Sequence, residues 1–447
     1  MARFNLTAFF DKESKRLMRN SSWVFFANFY STGLAFIRSI LMARGLGASI
    51  FGSYTLVVAF VGLIQEFLNL NLGTALIRYG AGFHTAQRND KLFSLVKVCL
   101  KASAVMLLIS VTVIFLLLHF SYGRFIHQPG LSVYIIAYAF AAGITYFNSI
   151  SRSMLRLFYK FRISSVIEII MDTVETSAVA VVIWMYPKDL DIFFPVIILV
   201  RFLNGFICNV IAFAELKSEW REHLHVSPGL IADEIKGIRK FVLGNSVGNT
   251  MKTMISQGDV LLLGLLTSPV QVAYYTVAKK LAYAVLTLSD PLASAIYPQL
   301  SRLLAERAYA EVRLMLRKIS AFAIGPAFLA WSILYFMHEP LMVQLYGSEY
   351  AVAADSFMYF FTGALIGAVT FWSLPMVQSL GLVRMRIVAY LITIVFGWTL
   401  SVLLVPGLQA KGMSMALLVT NLLNATIFIY FSFRMLHRSE QSGHTVI

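Results

Sequence analysis

Residues 20–60, NSSWVFFANFYSTGLAFIRSILMARGLGASIFGSYTLVVAF, decide the fold of this chain. Two apolar runs are separated by a short turn around Gly45–Ser49, and each run has the roughly 20 residues that a helix needs to cross a bilayer core. Arg38 lies inside the first run. A charge at that depth is costly in lipid and usually faces protein or water. The stretch therefore predicts a membrane-spanning helical hairpin, with Arg38 as the first candidate functional residue.

The composition extends this prediction to the whole chain. Of its 447 residues, 58% are hydrophobic and only 13% are charged, which is typical of a polytopic membrane protein. The net charge of +15 is explained by membrane topology, so we expect no nucleic-acid partner. The two cysteines, Cys99 and Cys208, both lie in apolar segments and predict neither a disulfide framework nor a metal site.

Apolar runs of spanning length recur along the chain, and one long polar stretch, 216–240, interrupts them. The prediction is an all-α membrane protein of about 12 transmembrane helices in two six-helix lobes. Its parts are a cytoplasmic tail 1–19, an N-lobe 20–215, an inter-lobe linker 216–240, a C-lobe 241–433 and a cytoplasmic tail 434–447. The predicted spans are 20–44, 52–80, 95–119, 130–151, 164–186, 190–215, 241–266, 271–298, 317–338, 351–380, 386–406 and 411–433.

Lysine and arginine are distributed unevenly over the predicted connections. They concentrate in both terminal tails and in every second connection, whereas the alternate connections carry few of them. Because cytoplasmic loops hold most of the basic residues, both termini are predicted to be cytoplasmic. The external connections are then all short, which leaves no room for an external catalytic domain.

The two halves resemble each other. Residues 46–57, LGASIFGSYTLV, align with residues 267–278, TSPVQVAYYTVA, which matches Tyr54 with Tyr275 and places Arg38 opposite Asp259. Six spans per half would give both halves the same orientation, an arrangement of secondary transporters that bind substrate between the repeats.

Several basic residues fall inside the predicted spans. If Arg38, Lys252 and Lys280 face the cleft between the halves, they form a cationic path for an anion. The alternative is an internal ion pair, with Asp259 paired to Lys252 or to Arg38 and no substrate contact. Charges inside spans are usually functional, so the predicted anion path comprises Arg38, Arg201, Lys252, Lys279 and Lys280.

Acidic residues also lie within the spans. Glu66 shares a helical face with small residues, and Glu168, Asp172 and Glu175 share a face of the fifth span. One interpretation is that these acids pair with Arg201 and lock helices together. The other is a role in ion coupling or as a latch between lobes, for which the candidates are Glu66, Asp172, Glu175, Asp259 and Asp290.

Enzyme motifs are missing from the sequence. It contains neither a GxxxxGK[ST] phosphate loop nor an HExxH zinc motif, so ATP hydrolysis and metalloprotease chemistry are not expected. We predict no catalytic residue, no metal and no cofactor, and coupling to a proton or sodium gradient is the candidate energy source. A membrane-embedded glycan enzyme would need a large loop or an acid and base pair that the sequence does not offer.

Both halves contain short motifs, which are IRSILMARGLG (37–47), FGSY (51–54), NLG (71–73), ALIRY (75–79), GDVLLLG (258–264), AYY (273–275), YPQLSR (297–302) and LYGSEY (345–350). With these motifs the chain resembles the polysaccharide-transport, or O-antigen flippase, family. That family belongs to a superfamily that also includes multidrug-and-toxin exporters and lipid II flippases. One departure is Asn71, where relatives often have an acidic residue.

The resemblance implies a two-lobed, V-shaped bundle of twelve helices that alternates access. It implies translocation of an undecaprenyl-pyrophosphate-linked oligosaccharide across a bacterial inner membrane. The partners would be this lipid-linked substrate, membrane lipids, and a polymerase and chain-length regulator of the same pathway. A cation-coupled multidrug exporter is the alternative within the superfamily, although basic spans fit a cationic drug less well.

Overall fold

A computed structural model describes residues 12–120, 130–223, 225–286 and 290–442. Within these ranges every regular element is helical, as the sequence predicts. Two short 3₁₀ helices, Pro228–Ile231 and Ser348–Ala353, accompany the α-helices. The α-helices are α1 (Lys12–Leu68), α2 (Leu72–Thr85), α3 (Asn89–Phe120), α4 (Leu131–Gly143), α5 (Thr145–Leu157), α6 (Phe161–Met185), α7 (Leu190–Glu215), α8 (Lys217–Glu222), α9 (Ile235–Leu266), α10 (Pro269–Leu286), α11 (Asp290–Ala305), α12 (Tyr309–Tyr346), α13 (Ala354–Val369), α14 (Ser373–Ser379) and α15 (Val383–Ser442).

Seven helical segments of the described chain are long and apolar enough to cross a membrane. Every predicted span overlaps a helix or two consecutive helices, and the predicted span 190–215 coincides with α7. Breaks within single spans separate α4 from α5 and α13 from α14. The number of crossings and the side on which the termini lie stay predictions. The helices extend into both predicted tails, since α1 begins at Lys12 and α15 ends at Ser442, and residues 1–11 and 443–447 lie outside the described ranges.

The two longest helices each contain one sharp bend. In α1 the bend is at Gly47, with φ 76° and ψ 168°, and in α15 it is at Gln409, with φ 52° and ψ −130°. Gly47 lies inside the predicted turn Gly45–Ser49, and its positive φ is a conformation that glycine adopts without a steric penalty. These bends replace connecting loops, so consecutive spans follow each other directly.

The chain forms two compact units. The first comprises the chain up to Leu46 together with Val57–Gly258, and the second comprises Gly47–Leu56 and the chain from Asp259 onward. The predicted lobes meet in the linker 216–240, whereas the division between the compact units falls inside the continuous helix α9. The short segment 47–56 is thus separated by sequence from the unit with which it packs.

The predicted linker packs against the first unit. Ile231 is buried in the same apolar core as Leu92, and the Lys97 ammonium donates to the carbonyl of Val226 at 2.8 Å. The Lys91 ammonium donates to the Glu234 carboxylate at 2.6 Å, and this contact lowers the pKa of Glu234. The segment is therefore attached to the ends of the helices it follows and is not a free tether.

The segment Gly47–Leu56 and the second helix bend, at Gln409, are each held by a side chain of the second unit that accepts from a backbone N–H. Both carboxylate oxygens of Glu349 lie 3.2 Å from the backbone nitrogen of Ala48, which donates to them. A carboxylate at that position satisfies a free N–H at the start of a helical turn and complements the helix dipole. The Gln271 side chain accepts a similar bond from the nitrogen of Ala410, directly after the bend at Gln409, at 3.3 Å.

Gly52 allows the closest approach in this anchor. A Cβ atom at this position would lie 1.8 Å from the carbonyl oxygen of Pro269, so one of the two backbones would have to move. We expect Gly52→Ala to lower the free energy of unfolding by about 2 kcal/mol or more, as overpacking does. Thermal unfolding of the purified protein in detergent measures this change.

Gly33→Ala is the matched control, because Gly33 lies on the same helix and an added Cβ atom there would have no neighbour within 4 Å. At this position the substitution should be neutral or stabilising, by up to about 1 kcal/mol. Equal stability of the two variants would contradict the packing argument.

Candidate functional site: buried charge clusters in two helical units

A cluster of two arginines and one glutamate lies in the first unit. Nη1 of Arg38 on α1 is 3.1 Å from Oε1 of Glu175 on α6, and Nη1 of Arg201 on α7 is 3.3 Å from the same oxygen. The side chains of Glu175, Arg38 and Arg201 are 7%, 15% and 34% exposed. One carboxylate thus holds two guanidinium groups from two other helices.

Two guanidinium groups of this cluster face one carboxylate. Arg38 Nη1 is buried and makes no directed hydrogen bond within the described structure, so its interaction with Glu175 is mainly electrostatic. The Arg201 guanidinium also lies 5.6 Å from the ring of buried Tyr138, which fixes its position further. Arg201 is the most exposed of the three groups.

Two of the predicted coupling acids in the first unit, Asp172 and Glu66, have no cationic partner among the described residues. The Asp172 carboxylate, on the same helix as Glu175, is half-buried and makes no hydrogen bond or ion pair with a described side chain. Within the same ranges, the Glu66 carboxylate accepts a hydrogen bond from the Asn69 amide alone, at 3.2 Å. By contrast, Glu168 lies 3.6 Å from Arg152. Asp172 and Glu66 are therefore the carboxylates most available to a mobile cation.

The second unit contains its own buried pair. The Lys279 ammonium on α10 donates to Oδ2 of Asp259 on α9 at 2.5 Å, and the Tyr275 hydroxyl donates to the same oxygen. The other carboxylate oxygen accepts from the backbone nitrogen of Val260 at 2.8 Å. The side chains of Asp259 and Lys279 are 5% and 18% exposed. The neighbouring Lys280 ammonium lies 5.8 Å from the ring of Phe51.

The structure changes the proposed partners of two residues. Arg38 pairs with Glu175 in the first unit, and Asp259 pairs with Lys279 in the second. Neither of these pairs was among the alternatives that the sequence offered for Arg38 and Asp259. The alternative interpretation, in which the acids pair with Arg201, holds for Glu175.

For two further predicted site residues the structure gives only the helix on which each residue lies. Lys252 lies on α9, and Asp290 is the first residue of α11. Their side chains lie outside the described part of the structure. The participation of Arg38, Arg201, Lys252, Lys279 and Lys280 in one anion path therefore stays a prediction.

Sequence reasoning missed the role of Glu349 and the aromatic partners Tyr138 and Tyr275. Glu349 stands in the motif LYGSEY and binds Ala48, which directly follows the motif that contains the first bend, so the two motifs are explained by one contact. The signal that could have suggested the contact between Glu349 and Ala48 is that the two motifs lie in distant parts of the chain. Nothing local marks Tyr138 as the ring beside Arg201.

The fold resembles those of solved transporters. An inward-facing multidrug resistance MATE family transporter of the MOP superfamily superposes with a TM-score of 0.69 at 13% identity, over 93% of this chain and 96% of that one. The lipid II flippase MurJ, in an inward closed conformation, gives 0.70 at 12% identity over 94% and 93%. The MATE transporter VcmN of Vibrio cholerae, in a bent form, gives 0.56 at 13% identity over 95% and 99%.

At these identities the likeness establishes the fold alone, which is that of a multi-pass membrane transporter. No curated protein matches the chain in sequence. The family model described as polysaccharide biosynthesis protein matches residues 17–304, which is most of the chain. The chain therefore belongs to the polysaccharide biosynthesis protein family.

Proposed function

We propose that this protein is a flippase that moves an undecaprenyl-pyrophosphate-linked oligosaccharide repeat unit across the bacterial inner membrane by alternating access. The observation that carries the proposal is that Glu175 holds two guanidinium groups, those of Arg38 and Arg201, inside the helical bundle. A pyrophosphate is an anion that must be stabilised as it leaves water, and a guanidinium at low dielectric supplies far more attraction than it would in solvent. Membership of the polysaccharide biosynthesis family supports the glycan as the cargo.

The geometry suits transient binding. Glu175 offsets part of the positive charge of the two arginines and holds both guanidinium groups in place, so an arriving anion is attracted less strongly than by two uncompensated cations. Such a site attracts the pyrophosphate and still lets it leave, as a carrier requires. An outward-moving anion is also favoured by a negative interior, by roughly 2.3 kcal/mol per charge per 100 mV.

Asp172 and Glu66 are the proposed coupling residues. Each carboxylate lies within the helical bundle without a cationic partner among the described residues, so a proton or a sodium ion can neutralise it at little structural cost. Binding of such an ion would reset the empty carrier. The polymerase and the chain-length regulator of the same pathway are the proposed protein partners, because they would consume the product.

The first test removes one accessible charge. We expect Arg201→Gln to reduce glycan export at least about tenfold, because the anion loses its most exposed partner, and Arg201→Lys to recover part of it. Export is measured as surface polysaccharide in cells whose own flippase is deleted, and as flipping of the lipid-linked glycan in proteoliposomes. Arg302→Gln is the control, since Arg302 is an exposed arginine whose partner, Glu306, is also at the surface.

The unpaired acids also fit a second function, a cation-coupled multidrug exporter. In that case neither the wild type nor Arg201→Gln would restore surface polysaccharide, and Asp172→Asn would reduce resistance to cationic drugs. Wild-type protein that confers drug resistance and does not restore surface polysaccharide would decide against the flippase.

A further inference from the structure

A long groove runs along the exposed face of α6 in the first unit. It consists of two cavities, of about 720 Å³ and about 560 Å³, which share Ile170. Besides α6, the first cavity is lined by Trp23 of α1 and Ile211 of α7, and the second is lined by Val196 of α7. Both cavities lie on one face of α6, so together they form a continuous furrow.

The two ends of the furrow differ in chemistry. One end, predicted to lie at the cytoplasmic surface, has the cations Lys160 and Arg162 with the aromatic residues Trp23 and Tyr159. The Arg162 guanidinium lies 5.3 Å from the Trp23 ring, and the Lys160 ammonium binds Glu215 at 3.0 Å. Beyond this end the lining is aliphatic, apart from two hydroxyl side chains. Paired aromatic and basic residues at one end match the headgroup level of a membrane, and the aliphatic part matches its interior.

The length of the furrow limits its occupant. From Arg162 to Val182 the helix rises about 30 Å, which is the full thickness of a hydrocarbon core. An acyl chain of a phospholipid stays within its own leaflet and would fill roughly half of this length. A polyprenyl chain is long enough to fill the whole furrow, and its phosphate would then lie beside Arg162.

We propose that this furrow, lined by α6 between Arg162 and Val182, docks the polyprenyl chain of the lipid-linked substrate, with the phosphate held at Arg162. The proposal rests on the proposed function, because it names where that substrate is held before translocation. It assigns Arg162 a role in positioning the anion that is separate from the deeper cluster of Arg38 and Arg201.

Binding to the purified full-length protein tests the proposal. The probes are undecaprenyl phosphate, farnesyl phosphate, whose chain is much shorter, and phosphatidylglycerol, and apparent affinities come from native mass spectrometry in detergent. Val174→Trp fills the furrow, and Val105→Trp is the matched control on α3, because the two valines are 50% and 52% exposed. Arg162→Gln removes the charge at the headgroup end.

We expect undecaprenyl phosphate to bind about tenfold more weakly to Val174→Trp and to Arg162→Gln, and unchanged to Val105→Trp. Farnesyl phosphate should bind more weakly than undecaprenyl phosphate to the wild type. Wild-type affinity in Val174→Trp would overturn the proposal. So would equal binding of phosphatidylglycerol with the same dependence on the variants, since the furrow would then be an ordinary lipid site.

The experiments distinguish an error in the proposed furrow site from an error in the proposed function. If the wild type binds undecaprenyl phosphate through the furrow and exports no glycan, the proposed flippase function is wrong. The furrow is still the binding site of the polyprenyl chain. If the wild type exports glycan, and Val174→Trp binds undecaprenyl phosphate and exports glycan normally, the furrow is not the binding site. The proposed flippase function is then retained.

Discussion

Replacing Glu175 with glutamine is expected to lower the free energy of unfolding by about 3–5 kcal/mol, because it removes the carboxylate that faces two guanidinium groups inside the bundle. Arg38 carries most of this cost, since its side chain is 15% exposed and its Nη1 is buried. Thermal unfolding and the yield of folded protein from membranes measure the effect. The double variant Arg38→Gln with Glu175→Gln should recover much of the loss, because it removes one of the stranded charges.

Glu168→Gln is the control for this prediction. Glu168 lies on the same helix, but its partner Arg152 is 3.6 Å away and a third exposed, so we expect a change of at most about 1 kcal/mol. If Glu175→Gln is as stable as Glu168→Gln, the cluster does not hold the three helices together.

The second large effect is expected at Asp259. Asp259→Asn removes the charge that Lys279 and Tyr275 share, and it should destabilise the protein by about 3–5 kcal/mol as a broken buried pair. Asp355→Asn is the matched control, because the Lys411–Asp355 pair has a similar distance of 2.7 Å and both side chains are far more exposed. There the loss should not exceed about 1 kcal/mol.

The double variant Asp259→Asn with Lys279→Gln separates structure from transport. It should restore most of the stability, because no stranded charge is left. If Lys279 contacts the anion, this stable variant exports no glycan. If glycan export is restored together with stability, Lys279 serves only as the partner of Asp259 and is not part of the anion path.

Local features of the fold were predictable from the sequence. The bend at Gly47 lies in a turn marked by two glycines, and α7 begins where the Asp189 side chain accepts a hydrogen bond from the nitrogen of Ile192 at 3.1 Å. Apolar length and helix-start signals depend on neighbouring residues, so one sequence is enough to place them.

Ion partners were not predictable in the same way. The sequence offered Asp259 as a partner of Arg38 and offered Arg201 as a partner of Glu175 and Asp172. The actual choice depends on which helices are neighbours and which faces they present. Helix periodicity places Glu175 and Asp172 on a common face, yet of these two only Glu175 meets the arginines of the described chain. A carboxylate that is left over, such as Asp172, can be recognised only after the pairs are known.

The ten residues from Gly47 to Leu56 have a consequence for the biosynthesis of the protein. They leave the ribosome early, but Pro269 and Glu349, which hold them, are made much later. During that interval Ala48 lacks its carboxylate partner and the glycine surface at Gly52 is uncovered, while the first unit, to which the segment does not belong, can already assemble. A ribosome-stalled Ser53→Cys chain that ends before Pro269 should therefore react with a thiol-specific probe, and release of the full-length chain should protect the cysteine, because Ser53 is only 2% exposed there.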